Sequence, residues 1–203
     1  WLKSDELEAV DVSQNGMLRK LVLKCPKLEA VHVENNEKLS YLIVDSSRIS
    51  SVNIKHNAAL ETFGIYSDKL KSLDVSKNDK LTALYVGSDS IAKLNIKKNR
   101  RLKYLSVECG KISALDLTAN KKLVWLAISR TPLRTLDLSK HKELTHLFFT
   151  DNKKLAKLDL SKNTLLGYLE VKNTSVKSID VPEKAKISWL EVTGNKKLTK
   201  LDL

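Results

Sequence analysis

The decapeptide LKSLDVSKND (Leu70–Asp79) returns almost letter for letter as LAKLDLSKNT (Leu155–Thr164), 85 residues later. Both copies spell L-x-x-L-x-L and place Asn at the ninth position. With Val or Ile allowed for Leu, the pattern starts at Leu7, Leu18, Leu28, Leu39, Ile49, Leu60, Leu70, Leu81, Ile91 and Leu102. It continues at Ile112, Leu123, Leu133, Leu144, Leu155, Leu166, Val176, Ile187 and Leu198. The steps alternate between 11 and 10 residues, a period of 21, with single extra residues near Lys153–Lys154 and Lys196–Lys197 that fall in turns. The separation of 85 is therefore four periods plus one. A fixed period of this length marks a chain built from stacked, equivalent modules.

Each period holds a long unit, eleven residues to the next start as in Leu70–Leu81, and a short unit, as in LVWLAISRTPL (Leu123–Leu133). In both, apolar residues at positions 4 and 6 alternate with polar neighbours, the period of a strand. No stretch between units has helical spacing. Each lap of chain is predicted to contribute two short strands and two tight corners, and stacking laps about 4.8 Å apart makes two parallel sheets around an apolar core. The prediction is a β-rich solenoid of about nine and a half turns, right-handed, weakly curved and with little or no helix. It forms a single domain over residues 1–203.

Asn15, Asn36, Asn57, Asn78, Asn99, Asn120 and Asn163 occupy the ninth position of the long unit, with His141 substituting in one turn. A side-chain amide turned inward at a corner can bond the free backbone groups there and in the adjoining turn, so a buried corner needs one each time.

L-x-x-L-x-L with an Asn ladder resembles the leucine-rich repeat proteins. The 21-residue form with LDLSKN resembles the internalin-type surface repeats common among surface and secreted proteins of gut bacteria, including the Bacteroidetes. The resemblance extends over essentially the whole chain and implies a non-catalytic binding fold placed on the bacterial surface or secreted. The chain departs from the pattern in the short unit, whose ninth position holds Ser47, Asp68, Asp89, Gly110, Thr131 and Thr174. Which sheet corresponds to the concave face of the family stays open on that account. Both ends read as cut from a longer array: Trp1–Leu2 fits the end of a short unit, Leu198–Leu203 stops inside a long one, and neither carries a polar cap.

Composition narrows the function classes. The apolar fraction is 42% and the charged fraction 30%, ordinary for a globular protein, and no apolar run approaches a membrane-spanning length. The net charge of +12 is uneven: residues 1–90 carry twelve Lys/Arg against thirteen Asp/Glu, and residues 91–203 carry twenty-four against eleven. Such an asymmetry points to a partner.

Residues at positions 3, 5 and 7 of each unit point outward and form columns across the sheets. The fifth position of the long unit is a monotonous Asp/Asn column running from Asp11 through Asp74, Asp116, Asp137 and Asp159 to Asp180. Solvation or pairing with neighbours such as Lys93 and Lys157 accounts for it. The glycine-rich nonapeptide of calcium-binding β-rolls is absent, so no metal is assigned. The third position of the short unit is different. Five successive turns set Tyr104, Trp125, His146, Tyr168 and Trp189 in line, with Phe148 beside them at position 5, and Tyr41, Tyr66 and Tyr85 extend the patch. Ring-on-ring stacking along a parallel sheet, or a second copy of the chain, would account for such a column. A protein or glycan ligand would as well, since exposed apolar patches mark contact surfaces and interfaces favour Tyr and Trp.

A third feature lies in the corner after the long unit, where Lys77, Lys80, Lys98, Arg100, Arg101, Lys121, Lys122, Lys140, Lys142 and Lys162 form a basic ridge interrupted by Asp79 and Glu143. Solvated turn lysines are the plain explanation; an anionic polymer attracted in a salt-dependent way is the functional one. No specific nucleic-acid motif accompanies the charge. Catalytic patterns are missing. HKELTH (His141–His146) is not the zinc-protease HExxH, and there is no phosphate-cradling glycine loop. Cys25 and Cys109 share the eighth position of the short unit but sit four turns apart, about 19 Å, well beyond disulfide reach, so free thiols are expected. The expectation is a non-catalytic recognition module without a cofactor, with a structural spacer or adhesin stalk as the alternative.

Overall fold

The computed structural model describes residues 1–202; Leu203, the last letter of the final long unit, lies outside them. Fifteen strands, numbered in chain order, carry the fold. The short units supply one continuous parallel sheet of ten: β1 (Leu2–Lys3), β3 (Lys20–Lys24), β5 (Tyr41–Asp45), β6 (Thr62–Tyr66), β7 (Ala83–Gly87), β8 (Tyr104–Glu108), β9 (Trp125–Ser129), β10 (His146–Thr150), β12 (Tyr168–Lys172) and β14 (Trp189–Thr193). Ten strands in that sheet make about ten turns, and no helix occurs among the described residues.

The pairing register is the sequence period made physical. Tyr104 lies beside Trp125, Trp125 beside His146, His146 beside Tyr168 and Tyr168 beside Trp189. Positions 4 and 6 turn inward, as in Leu126 and Ile128 or Leu147 and Phe149, all fully buried. A one-residue slip would send these apolar pairs to solvent, so the alternation pins the register.

The second sheet differs from expectation. The long units form only β2 (Ala9–Asp11) with β4 (Ala30–His32) at one end, and β11 (Lys157–Asp159), β13 (Ser178–Asp180) and β15 (Lys200–Asp202) at the other. Between them a lone bridge joins Asp74 and Asn95. The position-5 carboxylates and amides explain why the long-unit strands are so short. Oδ1 accepts the backbone N–H two residues on at Asp11 (2.8 Å), Asp74 (2.9 Å), Asp116 (2.9 Å), Asp137 (2.9 Å) and Asp159 (3.1 Å). This is an Asx turn, which diverts the backbone out of the ladder at that residue.

The corner after the long unit is held by the Asn column. Asn78 Nδ2 donates to Ile54 O (3.0 Å) and Asn57 O (2.9 Å), and Asn99 Nδ2 donates to Val75 O and Asn78 O, both at 2.9 Å. The same pair of bonds recurs at Asn36, Asn57, Asn120 and Asn163. Each amide thus clips its own turn to two carbonyls of the turn before. In the first long unit Asn15 is exposed; its backbone N–H donates to Val12 O (2.8 Å) and its backbone oxygen accepts from Asn36 Nδ2 (2.7 Å). His141 makes one bond where Asn makes two: Nε2 donates to Leu117 O at 3.2 Å, and Nδ1 is buried with no protein partner.

The opposite corner is built in two ways. In the early turns the eighth position of the short unit is a buried hydroxyl, with Ser46 Oγ donating to Leu28 O (2.7 Å), Ser67 Oγ to Ile49 O (2.6 Å) and Ser88 Oγ to Leu70 O (2.8 Å). From Arg130 onward that position turns left-handed, with φ of 51° at Arg130, 56° at Asp151, 52° at Asn173 and 67° at Gly194. Buried polar pairs then take over at the ninth position. Asn152 Oδ1 accepts from Thr131 N (2.9 Å) and Oγ1 (2.7 Å), while its Nδ2 donates to Ile128 O (2.8 Å); Asn195 repeats the arrangement with Thr174. The extra residues near Lys153 and Lys196 therefore mark a second asparagine corner, which spacing alone did not reveal.

Two expectations follow from the corners. Asn99→Ala removes two bonds to buried carbonyls, Val75 O and Asn78 O, each of which keeps one backbone partner. It should cost about 1–3 kcal/mol in urea unfolding, whereas Asn15→Ala, at an exposed site, should stay within about 0.5 kcal/mol. Burial holds His141 below its ordinary pKa of 6.5. The unfolded chain then takes up a proton near pH 6.5 that the folded chain refuses, so stability should fall by up to about 1.4 kcal/mol per unit as pH drops below that value. His141→Asn should remove this slope relative to wild type and restore a second clip, measured as Tm against pH.

Candidate functional site

The outer face of the ten-stranded sheet carries the rings that the register aligns. Phe148 packs between Trp125 and Tyr168, with centroids 5.3 and 4.9 Å away. Tyr168 lies between His146 and Trp189, 5.7 Å from each, with planes inclined by 20° and 8°. Two rings lying side by side in one plane could not approach so closely, so these are offset stacks whose faces overlap. Faces are turned to neighbours along the stack axis, and His146 Nδ1 is held by the Thr145 hydroxyl at 2.8 Å. Trp189 at one end is 51% exposed and Tyr104 at the other is 44% exposed. Tyr104 is in register with Trp125 but outside the stack.

Tyr41, Tyr66 and Tyr85 form a second group in the earlier turns. Burial, then the neighbouring Tyr85 phenol and the Glu108 and Asp45 carboxylates, raises the Tyr66 pKa above 10. Burial, then Tyr41 and Tyr104, does the same for Tyr85. Two glycines on the outer face make room for the group. A Cβ at Gly87 would stand 2.7 Å from Tyr66 Cδ1, and one at Gly64 would stand 2.6 Å from Ile43 Cδ1 and 3.6 Å from Tyr85 Cβ. Each glycine therefore leaves room for a neighbouring side chain to lie against the sheet, with Tyr66 still exposed and Tyr85 half-buried. Beside Tyr66 is a shallow depression of about 160 Å³ rimmed by Asp45, Asp68 and Glu108. Arg130 closes it, 2.8 Å from Glu108 and 3.9 Å from Asp89. Neither glycines nor Arg130 were singled out from sequence; the only signal was an outward column position that lacks a side chain.

The face continues past the stack into a polar margin, where Lys172 bridges Glu170 (3.3 Å) and Glu191 (2.9 Å). The strands enter this face from the basic ridge, whose cations Lys98, Arg100, Arg101, Lys121, Lys122, Lys140 and Lys142 are all exposed. They leave it toward the carboxylates of the short corner. The face is thus apolar in the middle and positive along the ridge edge, while the short-corner edge mixes Asp45, Asp68, Asp89 and Glu108 with Lys27, Arg48, Lys69, Lys111 and Arg130.

On the opposite side, a groove of about 400 Å³ opens between Lys93, Leu94, Leu115 and Asp137, where the long-unit ladder is open. It holds none of the rings. The carboxylates there are committed to their turns. The Thr118 hydroxyl and amide, then Lys97, pull Asp116 down to about 2. Both cysteines are buried free thiols. Burial pushes Cys109 up to about 11, far from the thiolate a nucleophile needs. The native protein should therefore show essentially no reaction with a thiol-titrating disulfide at pH 8, and two equivalents once denatured.

No family model matches the chain, and no curated protein sequence matches it. The solved structures do. It resembles the functional domain of InlJ from Listeria monocytogenes, a domain that includes a cysteine ladder, with 22% identity and a TM-score of 0.68, over 98% of this chain and 59% of that one. It resembles internalin C2 of the same bacterium at 15% identity and a TM-score of 0.62, over 91% and 76%. A leucine-rich repeat protein of Leptospira interrogans matches at 15% identity and a TM-score of 0.53, over 98% and 76%. The fold is therefore the internalin-type leucine-rich-repeat solenoid, and the chain spans about three-fifths of the InlJ chain.

Proposed function

We propose that the chain is a non-catalytic recognition module that binds a protein partner through the outer face of its ten-stranded sheet. The observation carrying this reading is the orientation of the rings. A sugar seeks an open aromatic face, and in this stack the faces are largely covered by one another. A protein surface can use what is left: ring edges, an apolar strip, and a strongly basic rim on one side against a mixed-charge rim on the other, which fixes the orientation of docking. The exposed anchors are Tyr104 and Trp189. The tyrosines Tyr41, Tyr66 and Tyr85 widen the contact, and Trp125, His146, Phe148 and Tyr168 hold its middle.

The solenoid likeness to Listeria internalins supports placement at a bacterial surface or outside the cell. The chain would serve there as part of a longer repeat array. The rival reading is a spacer that only holds another domain away from the envelope.

Adhesion of protein-coated beads to cultured epithelial cells separates these readings. Binding should fall about tenfold or more for the Tyr104→Ser, Trp189→Ser double variant, with its Tm within about 2 °C of wild type because both side chains are half exposed. Protease treatment of the cells should abolish binding and periodate oxidation of their glycans should not. Equal adhesion by the variant favours the spacer, and the reverse treatment pattern favours a glycan.

A further inference from the structure

We propose that the basic ridge binds a linear sulfated polysaccharide laid along the axis of the solenoid, a site separate from the aromatic sheet and independent of its reading. The chain contains its own control. The eight long corners from the Leu7 unit to the Leu155 unit share one backbone turn and, in seven of them, the same Asn, so the corner itself sets no demand for positive charge. In the three turns starting at Leu7, Leu28 and Ile49, positions 8, 10 and 11 of the long unit carry only Glu37 and Lys38, a net charge of zero. In the next five turns, starting at Leu70, Ile91, Ile112, Leu133 and Leu155, the same positions carry ten cations against Asp79 and Glu143, a net of plus eight. Turn chemistry would load all eight corners alike.

The ridge is also left unneutralised. Elsewhere cations sit beside carboxylates, as in Lys27 and Glu6 (2.7 Å), Lys97 and Asp116 (3.1 Å), Lys157 and Asp180 (2.8 Å) and Lys200 and Asp202 (2.6 Å). Among the described residues no ridge cation has a carboxylate within salt-bridge distance. Like charges repeated at the turn spacing of about 4.8 Å repel one another, and over five turns they form a row of about 19 Å. An extended polyanion relieves that repulsion and releases its own counterions.

The chemistry of the ridge selects among polyanions. In the Ile91 corner Asn99 N is spent on Ile96 O (3.0 Å) and Leu102 N on Asn99 O (3.2 Å), while Lys98, Arg100 and Arg101 put their side-chain cations outward. No run of open ring faces follows the ridge: Tyr168 is stacked between His146 and Trp189, and Tyr104 stands alone outside that stack, one ring where successive bases need several. What remains is a row made mostly of ammonium point charges, suited to sulfates along a sugar chain.

Heparin-agarose chromatography and competition with the purified chain test this. The chain should be retained at low salt and released by about 0.5 M, where the screening length has shrunk to about 4 Å, close to the turn spacing. Replacing Lys98, Arg100, Arg101, Lys121 and Lys122 by Gln should weaken heparin binding by about tenfold or more, with an unchanged far-ultraviolet spectrum. Replacing Lys69, Lys71, Lys93, Lys111 and Arg134 by Gln removes the same charge from other exposed sites and should weaken it by less than about twofold. Flow-through at low salt overturns the proposal, as does equal loss in the two variants. Competition by desulfated heparin or by single-stranded DNA of equal charge, as strong as that of heparin, overturns the sulfated-polysaccharide assignment. None of these outcomes bears on the bead adhesion assay, whose variants lie on the sheet.

Discussion

Each corner amide has two N–H groups, and each turn of chain leaves two inward carbonyls at the same corner. Asn78 bridging Ile54 O and Asn57 O is one instance of a clip repeated from Asn36 to Asn163. The clip lets a tight turn lie against an apolar core without stranding polar backbone, and it holds consecutive laps at one spacing. Because the donor is a side chain of fixed length, every lap must begin its short strand at the same height. The ten-stranded sheet, its register and the column order all inherit from that constraint.

Once the backbone is held from inside, outward positions are released from structural duty, and the chain uses them unevenly. On the long-unit side the outward Asp column ends the strands by Asx turns. On the short-unit side the rings at positions 3 and 5 shelter one another, which reduces the exposed apolar area. Self-stacking and recognition coexist here. Stacking holds the rings in fixed positions, which lowers the entropy lost when a partner arrives. The strong charges lie in the corners, where long side chains reach solvent without crossing the sheet.

The likeness to internalins at 15 to 22% identity has a simple physical reading. In each lap the fold restricts four inward apolar positions at the strands, the unit starts and the corner polar residue. The remaining residues are free to vary, so identity can fall low while the solenoid persists. The corners themselves admit more than one solution. Ser46, the Thr131–Asn152 pair and His141 each satisfy buried backbone by a different device.

Periodicity alone determined the solenoid, the inward and outward assignment of nearly every residue, the alignment of Trp125, His146, Tyr168 and Trp189, and the buried free thiols, because stacking at a constant period turns sequence phase into position. It also exposed the basic ridge, since the charge falls at one phase. What periodicity could not decide were features that depend on distances between neighbours. Closure of the long-unit ladder is not set by the Asx turns, which Asp11 and Asp159 make in paired strands and Asp116 and Asp137 make outside any strand, and whether ring faces are open depends on rotamers chosen by packing. Gly64 and Gly87 gain meaning only from the Ile43 and Tyr66 side chains beside them. Arg130, whose backbone turns left-handed, meets Glu108 and Asp89 from two different earlier turns. Phase is a one-dimensional property and is written in the letters; contact is three-dimensional and had to await the packed molecule.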